Sequence, residues 1–185
     1  MSYLGLDLSL TGTGFFLLKD DGTNINCEIK TKPGDFKSLI RRVKFIADTI
    51  INKIENENID LVLLEDYFIG NGSSGSTVKS LACLGTIVRD RLLSNGYSYL
   101  ACKPSQIKKF ETGSGNAQKD NMLKDVFKHH NFDTSSNNIA DACAMAYMCK
   151  GYCDYKKGTS DLLKSQMEVL KNITEPVEAP YKINE

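Results

Sequence analysis

The chain has 185 residues, 41% of them apolar and 25% charged, with 23 Lys plus Arg against 23 Asp plus Glu. That length and apolar share suit one domain with a real core and a short extension. The even charge gives no global sign of a polyanionic partner, no apolar run approaches the roughly 18 residues of a membrane span, and no basic-then-apolar leader opens the chain, so a cytoplasmic setting is the expectation.

An apolar strand over residues 3–6 runs into a carboxylate, Asp7. A small-residue turn over 9–14 and a second apolar run over 15–18 follow, which reads as a hairpin. An Asp inside a buried strand is costly unless its charge has a partner. No early Lys or Arg is present, and a metal ion fills that role. Residues 25–31 make a third strand after Asp20-Asp21-Gly22, and apolar positions from Phe36 to Ile54 keep helical spacing. The continuous apolar run 59–64 is a buried strand ending in Glu65-Asp66, and GNGSSGS over 70–76 is a loop. A second helix spans 78–92, and a fifth strand over 97–102 stops at Lys103-Pro104. A polar segment around Gly113-Ser114-Gly115 leads to a helix over 119–130, then to an Ala-rich helix over 138–150. Past Gly151 the chain turns polar, with a weak helix near 162–173 and a loose tail. The domain limits expected are 1–152 for the folded unit and 153–185 for the extension.

This order predicts an α/β fold, a mixed five-stranded sheet with helices on both faces. Six cysteines, at 27, 83, 102, 143, 149 and 153, form no CxxC pair, and the two histidines are adjacent, so zinc spacing is absent. The thiols read as reduced. The segment 103–128 holds six lysines and three acids, a local basic surface suited to phosphates.

Three acids stand in apolar sequence: Asp7 in the first strand, Glu65 at the end of the fourth, and Asp141 inside the Ala-rich helix. If the first and fourth strands are central neighbours, Asp7 and Glu65 lie side by side, and a helix over that edge can add Asp141. Clustered carboxylates repel unless cations sit between them. Hard oxygen donors without Cys or His select Mg²⁺ or Mn²⁺. Two such ions about 4 Å apart are the standard device for phosphodiester cleavage.

LGLDLSLTGTG at 4–14, LLEDYF at 63–68, KPSQIKKFETGSGNAQK at 103–119 and NNIADACAMA at 137–146 resemble, in order and spacing, the RuvC-type Holliday-junction resolvases of the RNase H-like nuclease superfamily. The resemblance covers residues 3–150, and the Lys/Asn-rich short form looks like phage-encoded versions. It implies an RNase H-like fold and a structure-selective endonuclease that cleaves four-way and related branched DNA with two Mg²⁺ ions, Mn²⁺ being a substitute. It implies a homodimer, because a four-way junction has two symmetric nick sites; the helix over 78–93 is the candidate interface. Carried over by position, Asp7 touches both metals, Glu65 and Asp141 join it, and Phe68 falls where an aromatic inserts at the crossover. Lys103, Lys108, Lys109 and Lys119 fall in the segment that grips DNA, with Lys119 near the scissile phosphate.

One position departs from the family pattern. Asn138 stands one helical turn before Asp141, where the family carries an acid or a His. It offers the metals a neutral oxygen. On the sequence, Asn138→Asp would balance four carboxylates against two divalent ions, and His130 and Asp133 are candidate helpers. The same departure leaves a second reading open, a junction-binding protein with weak or no cleavage.

Overall fold

The computed structural model describes residues 1–66 and 75–180. Strands β1 (Ser2–Asp7), β2 (Gly12–Lys19) and β3 (Asn24–Lys30) form the opening meander. Helix α1 (Leu39–Ile54), strand β4 (Ile59–Glu65), helix α2 (Gly75–Ser94) and strand β5 (Tyr99–Cys102) follow. Helices α3 (Pro104–Thr112), α4 (Lys119–His130), α5 (Asn137–Lys157) and α6 (Lys164–Lys171) complete the chain. The five strands form one mixed sheet in the order β3-β2-β1-β4-β5, with β1 antiparallel to β2 and parallel to β4.

Period-two alternation divides the strands between two cores. Leu4, Leu6, Phe15, Leu17, Val62 and Leu64 face α1 and α2. Tyr3, Phe16, Leu18, Leu61, Leu63 and Leu100 face α3 to α6. The parity continues past the apolar residues, so Asp7 and Glu65 fall on the side of α5. That helix lies unusually close to the sheet. A Cβ at Gly5 would stand 2.0 Å from the Ala142 carbonyl oxygen, and one at Gly14 2.0 Å from that of Asn138. Only glycine admits backbone at that distance.

Several elements differ from the sequence reading, each for a local reason. The polar segment after Pro104 holds a full helix, α3, with Pro at its first turn and Gly113 closing it at φ 77°. Its inner face is only Ile107, Phe110 and Glu111, which hides the helical period. Helix α5 runs on to Lys157, because Gly151 is a packing residue: a Cβ there would meet the Phe110 ring at 3.1 Å. The first long helix begins at Leu39, capped by the Ser38 hydroxyl, after a 3₁₀ turn at Pro33–Asp35. Gly75 and Ser76, expected in a loop, open α2; the rest of that expected loop lies outside the described residues.

Past α5, Val169 and Leu170 of α6 bury into the α5-side core. Val177 pairs with Tyr99 through two backbone hydrogen bonds of 2.8 and 3.1 Å, covering the β5 edge. Leu84, Val88 and Leu92 of α2 pack against α1 and the sheet, while Leu81 of α2 and Ile40 and Phe45 of α1 stay exposed. All six cysteines are free thiols. Among the described residues no helix is long and apolar enough to cross a membrane.

Candidate functional site

The site lies at the carboxyl ends of β1 and β4, beneath the first turns of α5. Asp7 is directly opposite Gly14 of β2, and Gly14 is directly opposite Glu28 of β3. Leu6 pairs with Leu64, so the same register places Asp7 beside Glu65. Residues opposite one another share a face. A row Glu28, Gly14, Asp7, Glu65 therefore crosses four strands, with α5 resting on its one glycine. Asp141 comes down from α5 onto this row.

The turn after Asp7 is held firmly. Arg42 of α1 is buried and donates to the Thr31 hydroxyl (2.7 Å), the Leu10 carbonyl (2.8 Å) and the Thr31 carbonyl (3.0 Å). The Thr13 hydroxyl donates to the Ser9 carbonyl at 2.6 Å. These bonds satisfy a loop whose backbone would otherwise compete with water.

Burial pushes the Asp7 carboxyl up to about 8, and the charges of Asp141 and Glu65 add to that push. Lys119 pulls it down and Glu28 raises it further. Glu65 is raised by burial and by Asp141, and Asp141 by burial, against Lys108 and Lys119. Among the described residues no three Asp, Glu, His or Cys side chains close around one point. Like-charged carboxylates hold apart until a cation draws them in. Three hard oxygen donors fit a divalent cation of the Mg²⁺ or Mn²⁺ type, and the one thiol opposite them, Cys102 beside Glu65, is buried and held protonated, its pKa pushed up to about 12.

The basic residues divide. Lys119 opens α4 and acts on Asp7 and Asp141, while Lys108 of α3 acts on Glu65 and Asp141. Lys109, one position on, faces α6 and pairs with Glu168 at 3.0 Å. Lys103 is exposed at the start of α3 and is not among the charges that act on these acids. Phe68 lies outside the described residues.

Helices α3 and α4 are tied together by Glu111, which is 2% exposed. Its two oxygens meet His129 Nδ1 at 3.1 Å and His130 Nε2 at 3.0 Å. The His130 ring also stacks on Tyr147 of α5, with centroids 3.6 Å apart. His130 is thus committed to the helix layer and does not help the acids. Asp133 is exposed and is not among the charges that act on Asp7. The residue the sequence reading missed is Glu28. Asn138 Nδ2 donates to its Oε1 at 2.6 Å and to the Gly12 carbonyl at 2.8 Å. Gly14 opposite Asp7 in the hairpin, followed across the next turn, was the signal that could have found it.

Residues 3–149 match the family model described as crossover junction endodeoxyribonuclease RuvC. A crossover junction endodeoxyribonuclease RuvC from Synechococcus sp. (strain CC9311) is 30% identical over 158 residues, 79% of this chain and 96% of that protein. The solved RuvC of Thermus thermophilus has the same fold, with TM-score 0.66 at 20% identity, covering 88% of this chain and all of that one. The same protein in complex with a Holliday junction substrate gives TM-score 0.68 at 18% identity, covering 88% of this chain and 99% of that one. The family match spans β1 through most of α5, the elements that carry all three acids, and the chain belongs to the RuvC family of crossover junction endodeoxyribonucleases.

Proposed function

We propose that this protein is a structure-selective DNA endonuclease that resolves four-way (Holliday) junctions and related branched DNA by phosphodiester hydrolysis, leaving 3′-hydroxyl and 5′-phosphate ends. The observation that carries the reading is the register that sets Asp7 beside Glu65 at the carboxyl ends of two neighbouring interior strands, with the charge of Asp141 of α5 acting on both, in a chain matched to the family from residue 3 to 149. Asp7, on which the charges of both other acids act, is the central ligand; Glu65 and Asp141 join it, and the Asn138 amide oxygen completes the donor set. Two Mg²⁺ ions held there, or Mn²⁺ in their place, would activate the attacking water and stabilise the departing 3′ oxygen.

The chain's own residues do the rest. Lys119 sits where a positive charge offsets the acids and receives the phosphate to be cut. Lys108 neutralises the neighbouring backbone, with Lys103 and Lys109 further along the same segment and Phe68 at the crossover. A homodimer places two such sites on the two symmetric strands of a junction. Free thiols throughout suit a cytoplasmic setting, and the Lys/Asn-rich short sequence suits a phage-encoded form acting in its host.

The test is nicking of a synthetic four-way junction, a fork, a flap and a linear duplex of one sequence, with Mg²⁺ and with chelator. Paired, Mg²⁺-dependent cuts in the junction are expected. Equal cutting of every branched form points to a broader branch nuclease. Tight junction binding with no cut in Mg²⁺ or Mn²⁺ leaves a binding protein.

A further inference from the structure

We propose that Glu28 is the fourth carboxylate of this site, supplying from β3 the negative charge that position 138 of α5 lacks and fixing the Asn138 amide by hydrogen bond. This rests on the cation-site reading above. The geometry is a sheet argument. Glu28 and Asp7 lie on one face with only Gly14 between them, two strand spacings or about 10 Å apart at the backbone. A long side chain covers much of that gap, and the glycine leaves the way clear. Asn138 hangs over the same glycine from α5.

The room for this contact is built in. A Cβ at Gly12 would stand 2.5 Å from Glu28 Oε1 and 3.1 Å from Asn138 Nδ2. Both partners of Asn138 Nδ2 are acceptors, the Gly12 carbonyl at 2.8 Å and Glu28 at 2.6 Å, so the amide's orientation follows from its bonds. Its oxygen is the atom left for ligation. The other Glu28 oxygen takes an ion pair from Lys30 at 3.1 Å, and Lys30 is largely exposed. Glu28 is therefore a positioning and charge-supplying residue, and its field reaches Asp7.

The arrangement reverses the sequence expectation for position 138. An Asp there would set a second carboxylate about where the amide nitrogen now stands, 2.6 Å from Glu28. Like charges at that distance repel strongly. Asn138→Asp alone should lower the melting temperature and gain nothing in cation affinity. Moving the charge instead of adding it should succeed: Glu28→Gln with Asn138→Asp keeps four carboxylates and one amide and restores a donor–acceptor pair between positions 28 and 138, leaving only the Gly12 carbonyl without its donor.

The experiment is a Mn²⁺ titration of the full-length, DNA-free protein, with free Mn²⁺ read by electron paramagnetic resonance, beside a thermal melt in chelator. Glu28→Gln can still accept from Asn138, so a mere strap between β3 and α5 survives it. The proposal expects unchanged or higher chelator stability in Glu28→Gln, with Mn²⁺ affinity about tenfold weaker, as for other groups that orient metal ligands. It expects the double variant to bind Mn²⁺ like wild type. It is overturned if Asp7→Asn weakens Mn²⁺ binding while Glu28→Gln does not, or if Asn138→Asp alone binds more tightly with its melt intact. If Asp7→Asn leaves Mn²⁺ binding unchanged, the cation site itself is refuted and this inference with it.

Discussion

Two carboxylates on the same side of the sheet, Glu111 buried and Asp7 half-buried, have opposite surroundings. Glu111 has a histidine on each oxygen, and one of them, His130, stacks on Tyr147 of α5. Asp7 has no hydrogen bond or ion pair to its side chain among the described residues, and the charges that act on it most strongly are those of Asp141 and Glu65. A buried acid with its partners inside the protein ties elements together. A buried acid whose neighbours are acids is stable only with help from outside. The first holds α3 and α4 in place, and with them Lys108 and Lys119. The second is where the proposed function puts the chemistry.

Substitution at the two acids should separate these roles most sharply. Asp7→Asn is expected to abolish junction cleavage while junction binding stays intact or tightens, since one charge that repels phosphate is removed. It should also change stability in chelator. The folded carboxyl titrates at about 8 against an ordinary 3.8, so the folded state holds the proton more tightly than the unfolded one. Asp7 therefore favours folding below about pH 4, and that contribution is lost as pH rises toward 8. Melts from pH 4 to 9 should fall with pH in wild type and flatten in Asp7→Asn. A variant with full cleavage would remove Asp7 from the site.

Glu111→Ala should do the reverse. Loss of both histidine bonds costs about 3 kcal/mol, a fall of about 6–12 °C in melting temperature for a chain of this size. Cleavage per folded molecule at low temperature should fall far less than in Asp7→Asn. A variant that melts normally but has lost catalysis would make Glu111 part of the site.

The lysines give a smaller effect. Lys108→Ala with Lys119→Ala should weaken binding to all DNA forms and flatten the salt dependence, each lost phosphate contact removing about 0.9 from the log–log slope. Lys109→Ala should give the smallest change of all, because its ammonium already pairs with Glu168. Equal slopes for Lys108→Ala and Lys109→Ala would show that the ion pair opens on DNA.

The three acids stood out because each interrupts an apolar run, and burial of the run leaves the acid half-buried at its end or between its turns. The pairing of β1 with β4, entertained on the sequence only as a condition, is what the register shows. Glu28 was passed over because β3 alternates Ile25, Cys27 and Ile29 on one face with Asn24, Asn26, Glu28 and Lys30 on the other, so Glu28 falls on a wholly polar face and interrupts no apolar run. Helix α3 was hidden by a narrow inner face, although Pro104 and Gly113 marked its ends. The docking of α6 rests on Val169 and Leu170, two residues in a polar stretch. Glu111 looked like surface until its two histidines, eighteen and nineteen residues on, came round to meet it.

The central claim is that Asp7, Glu65 and Asp141 hold a cation together. The direct measurement is anomalous diffraction from crystals soaked in Mn²⁺. The account predicts a peak in contact with Asp7 and shared with Glu65 or Asp141, absent from Asp7→Asn crystals. Saturating Mn²⁺ with no peak at these acids, or a peak that survives Asp7→Asn unchanged, would contradict it.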